Sequence, residues 1–288
     1  MKKGSTGIAT IVTATLVAGS AFSAGGDAPT VDDKVIALQR AALAESTKGL
    51  GFGPQSPRDI DELKGSNGRI FQLSPPHTEM NLCNIHFHEA AEHKGEEFSK
   101  YVGNGDGKGS GTGYAYSGTL TEAEMAPYER TVGNGKYGDL QPGDTIEVHF
   151  VHTSAQVVPG PTLGSCLSEA IGNPQLRVEG QVYVIVNDEN AADFAEQAKV
   201  TKVNGFYQAA GIPGDTGTPI EYTGSTTGPG YNEKGSPFQV SWSVRPKVQK
   251  VSIQSIEAWL KDNPFDETAA HGVRNLVTNL DLLSKAGL

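Results

Sequence analysis

Apolar residues recur in two rhythms along this chain. Over 30–46 they fall three and four apart, with Val31, Val35, Leu38 and Ala42 on one side, which predicts a helix capped by Thr30. From Gly51 to about Val251 the rhythm shortens to alternation and brief apolar runs between turn residues. That texture predicts strands over 85–88, 145–152, 181–186 and 239–244. Pro142-Gly143-Asp144 marks the turn into the second of these. Glycine-rich stretches over 103–118 and 224–235 read as long loops, and 191–199 reads as a short helix. Near the end Val273, Leu276, Val277, Leu280 and Leu283 mark an amphipathic helix. No internal repeat is present, so the strands are assigned to one sheet-based core.

The N-terminus has a different grammar. Met1-Lys2-Lys3 is basic, 8–18 is apolar and small, and Ala21-Phe22-Ser23-Ala24 offers a cleavage site. This is the layout of a secretory signal peptide over 1–23, too short for a comfortable span, so no integral membrane span is expected after cleavage; an uncleaved anchor is the alternative. Export places the protein in the periplasm or outside the cell. In that oxidising setting the only two cysteines, Cys83 and Cys166, are expected to form a disulfide; the rival role of metal ligand lacks the C-x-x-C spacing. With 36 Gly and 16 Pro in 288 residues the composition favours turns and strands over a helix bundle. The net charge of −10 repels phosphate backbones, which argues against nucleic-acid partners.

Five of the seven histidines fall in two clusters, and four of these, His86, His88, His149 and His152, lie in predicted strands. In His86-Phe87-His88 both imidazoles share one face, because strand side chains alternate. In Glu147-Val148-His149-Phe150-Val151-His152 the two imidazoles fall on opposite faces, so only one can join the first pair. Three neutral imidazoles with a fourth position left for water are the donor set of a catalytic zinc. Asn84 and Glu147 each stand two residues before a histidine, on the same face, where they could accept the second ring N–H. Histidine pairs also occur on solvated faces, and it is the second strand that gives this pair its weight.

These segments resemble carbonic anhydrases. The His-Phe-His strand, the Glu92-His93 pair and the 147–152 strand are similar to the zinc strands of the alpha class. Gln55-Ser56-Pro57-Arg58-Asp59-Ile60, Tyr222-Thr223-Gly224-Ser225-Thr226-Thr227-Gly228-Pro229 and Val240-Ser241-Trp242 are similar to three of its other blocks, in the same order. The wording around Asn81-Leu82-Cys83-Asn84 and Ala91-Glu92-His93-Lys94 is closer to the delta class, and 103–118 is an insertion relative to the alpha class.

The resemblance implies a mainly β (α+β) fold with a large central, mostly antiparallel sheet and peripheral helices. A helical segment over 24–50 would precede a catalytic domain over 51–288. It implies reversible hydration of CO2 to bicarbonate and a proton through metal-bound hydroxide, with one Zn2+ per chain on His86, His88 and His149; Co2+ or Cd2+ could substitute. Glu147 would orient His149 and Asn84 would orient His86. Glu92 would accept from a gatekeeper threonine, which an ungapped match makes Thr227 and a one-residue gap makes Thr226. The family's proton-shuttle histidine falls in a segment that is shortened here. On titration range alone, His77 and His152 are the candidates for that role.

Two rivals remain open on the residues. His86, His88, Glu92 and His149 also fit the His-x-His-x3-Glu pattern of a cupin, in which Glu92 would touch iron or manganese. A non-catalytic exported metal-binding protein would need only the donor set. The expected small-molecule partners are CO2 and bicarbonate, and the oligomeric state is left open.

Overall fold

The computed structural model describes residues 30–133, 139–209, 211–226, 230 and 232–285. The expected signal peptide over 1–23 lies outside the described residues, as do residues 24–29 of the helical segment. Among the described residues no helix is long and apolar enough to cross a membrane.

The chain opens with α1 (Asp33–Thr47), capped by Asp32, whose carboxylate accepts from the Lys34 N–H at 2.8 Å, not by Thr30. The helix also turns a different face inward than its apolar stripe predicts. Ile36, Gln39, Leu43 and Thr47 are buried, while Val35 and Leu38 are exposed. Part of the reason is polar: the Gln39 amide makes buried hydrogen bonds to Gly107 O and Asn275, which an apolar residue in its place could not supply.

Ten strands follow among the described residues. β1 (Asn81–Glu89) is joined to β4 (Thr145–Thr153) through a small hairpin of β2 (Lys100–Asn104) and β3 (Thr112–Ala115). β5 (Leu176–Val186) leads through the single-turn α2 (Phe194–Gln197) to a second hairpin, β6 (Val200–Val203) and β7 (Phe206–Ala209). β8 (Ile220–Ser225), β9 (Gln239–Val244), β10 (Gln249–Ser252) and α3 (Ile253–Lys261) complete the elements.

The main sheet runs β1-β4-β5-β9-β8. Three of its pairs are antiparallel; β9 and β10 both run parallel to β5, along Arg177–Gly180 and Tyr183–Val186 respectively. The sheet is thus mixed with an antiparallel majority, in a mainly β fold with peripheral helices. β5 is wholly buried over its 11 residues because it lies centrally and is covered on both faces.

The two faces bury different layers. One carries Phe87, Val148, Phe150 and Tyr183 against Trp259 and Ile256 of α3 and Phe194 of α2. Burying each such aromatic stabilises the fold by about 1.5–3 kcal/mol. The other face carries Val151, Val178, Val182, Tyr222, Trp242 and Val244. A bulge at Cys83 shifts the β1–β4 register between Leu82, opposite His152, and Asn84, opposite Val151. The extra residue moves the chain from the first face to the second, so that Asn84, His86 and His88 then continue on the second in strict alternation.

Three predicted elements take other forms. The 103–118 stretch is largely the β2–β3 hairpin and its tip. The predicted amphipathic helix near the C-terminus is an extended strap ending in a 3-10 turn at Leu280–Leu282. Its apolar residues Val273, Val277 and Leu283 are buried as expected. Its backbone, however, bonds to distant segments: Val273 N–H to Gly109 O, Val277 N–H to Pro57 O, and Gln55 N–H to Leu282 O. Those partners occupy the groups a helix would have paired internally. The predicted 191–199 helix shrinks to the one turn of α2.

Candidate metal centre

Strand alternation places His86 and His88 on one face of β1, and the antiparallel register sets His149 directly opposite His86. The three rings lie 4.7–5.2 Å apart by centroid. One nitrogen of each ring is held by an acceptor. His86 Nδ1 lies 2.6 Å from Asn84 Oδ1, His88 Nδ1 lies 2.6 Å from the Gly272 carbonyl, and His149 Nε2 lies 3.0 Å from Glu147 Oε1. Asn84 donates its own amide to Gly160 O at 3.1 Å, which fixes which end of the amide faces His86.

Because carbonyl and carboxylate oxygens only accept, the ring proton sits on the held nitrogen and the other keeps its lone pair. The unheld nitrogens are Nε2 of His86, Nε2 of His88 and Nδ1 of His149. The ligand atoms of these three residues lie within 4.8 Å of one another, and among the described residues they are the group that could hold a metal ion. His149 Nδ1 and His86 Nε2 approach to 3.3 Å. Two lone pairs facing each other at that range repel, whereas around a cation they are favourable, so the donor set fits a divalent metal. Burial lowers all three imidazoles' pKa values, His88 to about 4, which keeps them neutral at physiological pH.

Behind the triad a buried network begins at Glu147. Its Oε1 takes His149 Nε2–H and His93 Nδ1–H (2.6 Å), and its Oε2 takes the His93 backbone N–H at 3.0 Å. Burial pushes the Glu147 carboxyl upward, but His93 and His149 outweigh it and hold the group well below the usual carboxylate range. His93 continues to the Tyr222 hydroxyl, and Tyr222 to Ser56 Oγ at 3.2 Å. Trp242 packs its indole 4.8–4.9 Å from both His93 and His149.

Glu92 is buried beside the triad, its Oε2 3.9 Å from His88 Nε2 and 3.7 Å from His149 Nε2. It stands outside the converging group, and burial raises its pKa. The triad opens into a cavity of about 1050 Å3 whose walls include Val151, Val178, Trp242 and Thr226. Thr227 lies outside the described residues.

His77 and His152 are not brought to this cavity. His152 shares its face of β4 with Phe150, and its ring lies 5.3 Å from that of His77, which in turn lies 3.3 Å from Glu179. The odd spacing of 149 and 152 puts the two on opposite faces of β4, and the β1–β4 register makes His149 the one beside His86. The disulfide Cys83–Cys166 is present and ties β1 to the turn Leu163–Cys166, whose Leu163 also lines the cavity.

Sequence reasoning gave no role to His93, Gly272 or His271. His93 was legible as half of the Glu92-His93 pair. His271 lines the cavity with its ring 5.4 Å from that of His86 and its Nε2 2.6 Å from Glu267, which raises its pKa. Nothing local marks it, since the strap's apolar spacing reads as a helix.

A family description of delta carbonic anhydrase matches residues 77–255. No curated protein matches the chain. Among solved structures, an alpha-carbonic anhydrase from Thermovibrio ammonificans in complex with sulfanilamide is 18% identical, with a TM-score of 0.29, covering 81% of this chain and 85% of that one. The alpha-carbonic anhydrase of Photobacterium profundum is 15% identical, with a TM-score of 0.27, covering 84% and 93%. A hyperthermostable carbonic anhydrase from an active hydrothermal vent chimney is also 15% identical, with a TM-score of 0.27, covering 79% and 89%.

Proposed function

This chain belongs to the delta carbonic anhydrase family, and from that premise we propose that it interconverts CO2 and bicarbonate with a single zinc ion held by His86, His88 and His149. The observation that carries the metal assignment is the convergence of three lone-pair nitrogens, each fixed by an acceptor on the opposite side of its ring. A zinc ion bound there would supply Lewis acidity, bringing the pKa of a water molecule to about 7. Co2+ or Cd2+ could take its place.

The chain's own residues do the rest. Asn84, the Gly272 carbonyl and Glu147 hold the three rings in one tautomer and one orientation. Three neutral donors leave the ion's full charge available to polarise water; anionic donors would offset it. Val151, Val178 and Trp242 present apolar surface beside the triad, which suits an uncharged linear substrate and disfavours bulk water. Thr227, or Thr226 at the cavity wall, would hold a water hydrogen bond on one side and donate to Glu92 on the other, aiming the nucleophilic lone pair at carbon.

The cupin assignment loses to the family membership, and the geometry argues the same way. Glu92 lies outside the converging set, and its closest approach to His149 is to the nitrogen that Glu147 already engages. The signal-like N-terminus and the disulfide support export to the periplasm or beyond, where a Cys83–Cys166 bond persists.

A stopped-flow CO2 hydration assay on purified protein tests the reading. Catalysis is expected to vanish on chelation and return with stoichiometric Zn2+. Iron bound without hydration, or zinc bound without hydration, would overturn it in favour of the two rivals respectively.

A further inference from the structure

The β2–β3 tip is wedged between α1 and the C-terminal strap. Asp106 locks the tip from within, its Oδ1 accepting the N–H groups of Lys108 (2.7 Å) and Ser110 (3.0 Å). On one side α1 and the residues leading into it clamp it: Gln39 Nε2–H donates to Gly107 O at 2.5 Å, and Val31 N–H, ahead of the helix, donates to Gly105 O at 2.9 Å. Gln39 Oε1 in turn accepts from Asn275 of the strap at 2.6 Å, so one buried amide bridges tip and strap.

On its other side the tip touches the strap backbone to backbone. Val273 N–H donates to Gly109 O at 2.7 Å. A Cβ on Gly109 would come 2.7 Å from Val273 O, and one on Gly272 would come 2.6 Å from Gly109 O. Neither collision could be relieved by a side-chain rotation, so both positions require glycine. Gly109 also has φ +113°, which L side chains rarely adopt. Gly272 is the residue whose carbonyl accepts from His88 Nδ1.

We propose that this glycine-rich tip, clamped by Gln39, is a positioning element for His88. By fixing the strap at Gly109–Gly272 it holds the carbonyl that keeps His88 in the Nδ1–H tautomer, with Nε2 turned to the metal point. Gln39 is a positioning residue, acting through Gly107, Gly109 and Gly272. The inference rests on the reading of His88 as a ligand.

The test compares Gln39→Met, which keeps the side-chain volume and removes both hydrogen bonds, with Gly109→Ala. Gly68→Ala is the control, since a Cβ there meets nothing within 4 Å. Two readouts are taken on the full chain: Co2+ affinity by visible absorption, and the His88 tautomer by 15N NMR of the metal-free protein. The expected result for Gln39→Met is a loss of about tenfold in Co2+ affinity, the lower end of the range for an orienting partner, with part of the His88 signal moving to the Nε2–H tautomer. Gly109→Ala is expected to show more of both, and Gly68→Ala neither. Wild-type affinity together with an unchanged His88 tautomer in a folded Gln39→Met protein would overturn the inference. Failure of the wild type to bind cobalt through His88 would instead overturn the metal reading, and the metal-free tautomer comparison would still decide this one.

Discussion

β1, β4 and β5 bury polar groups on both faces, and the two faces use them differently. In front, each of three imidazoles has one nitrogen held by an acceptor and one turned to a common point. Behind, His152 gives its Nδ1–H to Phe150 O at 3.0 Å, while its buried Nε2 has no hydrogen-bond partner. His77 and the Arg177–Glu179 ion pair pack near it, and burial lowers the His152 pKa to about 3. Both clusters are desolvated histidine sites. Only the front has its lone pairs aimed at one another, and it is this, not burial, that marks a place for a cation.

The sharpest way to break the comparison is to remove a front imidazole. His149→Ala is expected to abolish CO2 hydration and to weaken zinc binding more than 100-fold, beyond the range for an orienting partner; isothermal titration and stopped-flow rates check both. Glu147→Gln keeps the shape but removes the charge that His93 and His149 both face. It is expected to cost about 10–100-fold in zinc affinity, read by competition with a chelating dye.

Cys83 sits at the bulge where β1 changes face. The double variant Cys83→Ala, Cys166→Ala is expected to lose about 2–4 kcal/mol of unfolding free energy in urea. It should also bind zinc more weakly, because the 160–166 segment that orients Asn84 is then untied. Unchanged zinc affinity would mean the bulge alone fixes Asn84.

The smallest effect belongs to the back face. Its native pKa near 3 lies below the ordinary histidine value of 6.5, so the unfolded chain binds the proton more readily. The stability that neutral His152 contributes is therefore full above pH 6.5 and is lost as the pH drops from there towards 3. His152→Leu is expected to lessen that acid destabilisation, seen as a lower acid-unfolding midpoint. Its CO2 hydration rate should depend on buffer concentration just as the wild type's does; a dependence confined to the variant would return His152 to a proton-transfer role.

The front site was legible because its logic is local. Period-two alternation alone places Asn84, His86 and His88 together, and the same rule puts Glu147 with His149 and His152 on the face opposite them; that His149 is the one to join the pair came from the resemblance. The Glu92-His93 pair showed that a carboxylate lay near, though which partner each would meet could not be read from spacing. The strap misled for a stated reason: Val273, Val277 and Leu283 are spaced as a helix face and are indeed buried, but the hydrogen bonds of their backbone go to Gly109, Pro57 and other segments far away in the chain. Here apolar spacing marked most of the strap's buried side chains, though Leu280 is exposed, and it says nothing of which carbonyl a given N–H will find.

By itself the sequence determined parts of four strands (β1, β4, β5 and β9), the shared face of His86 and His88, the opposite faces of His149 and His152, the pair of cysteines and, through its motifs, the family. All of these follow from residue type and short-range periodicity. Tertiary structure alone decided that the Gly272 carbonyl would face His88, that Gln39 would join α1 to the hairpin tip and the strap, and that His271 would stand at the cavity. Those contacts link residues 68 to 236 positions apart or depend on backbone atoms that every residue shares. No side-chain pattern encodes them, because what selects them is the way packed segments meet.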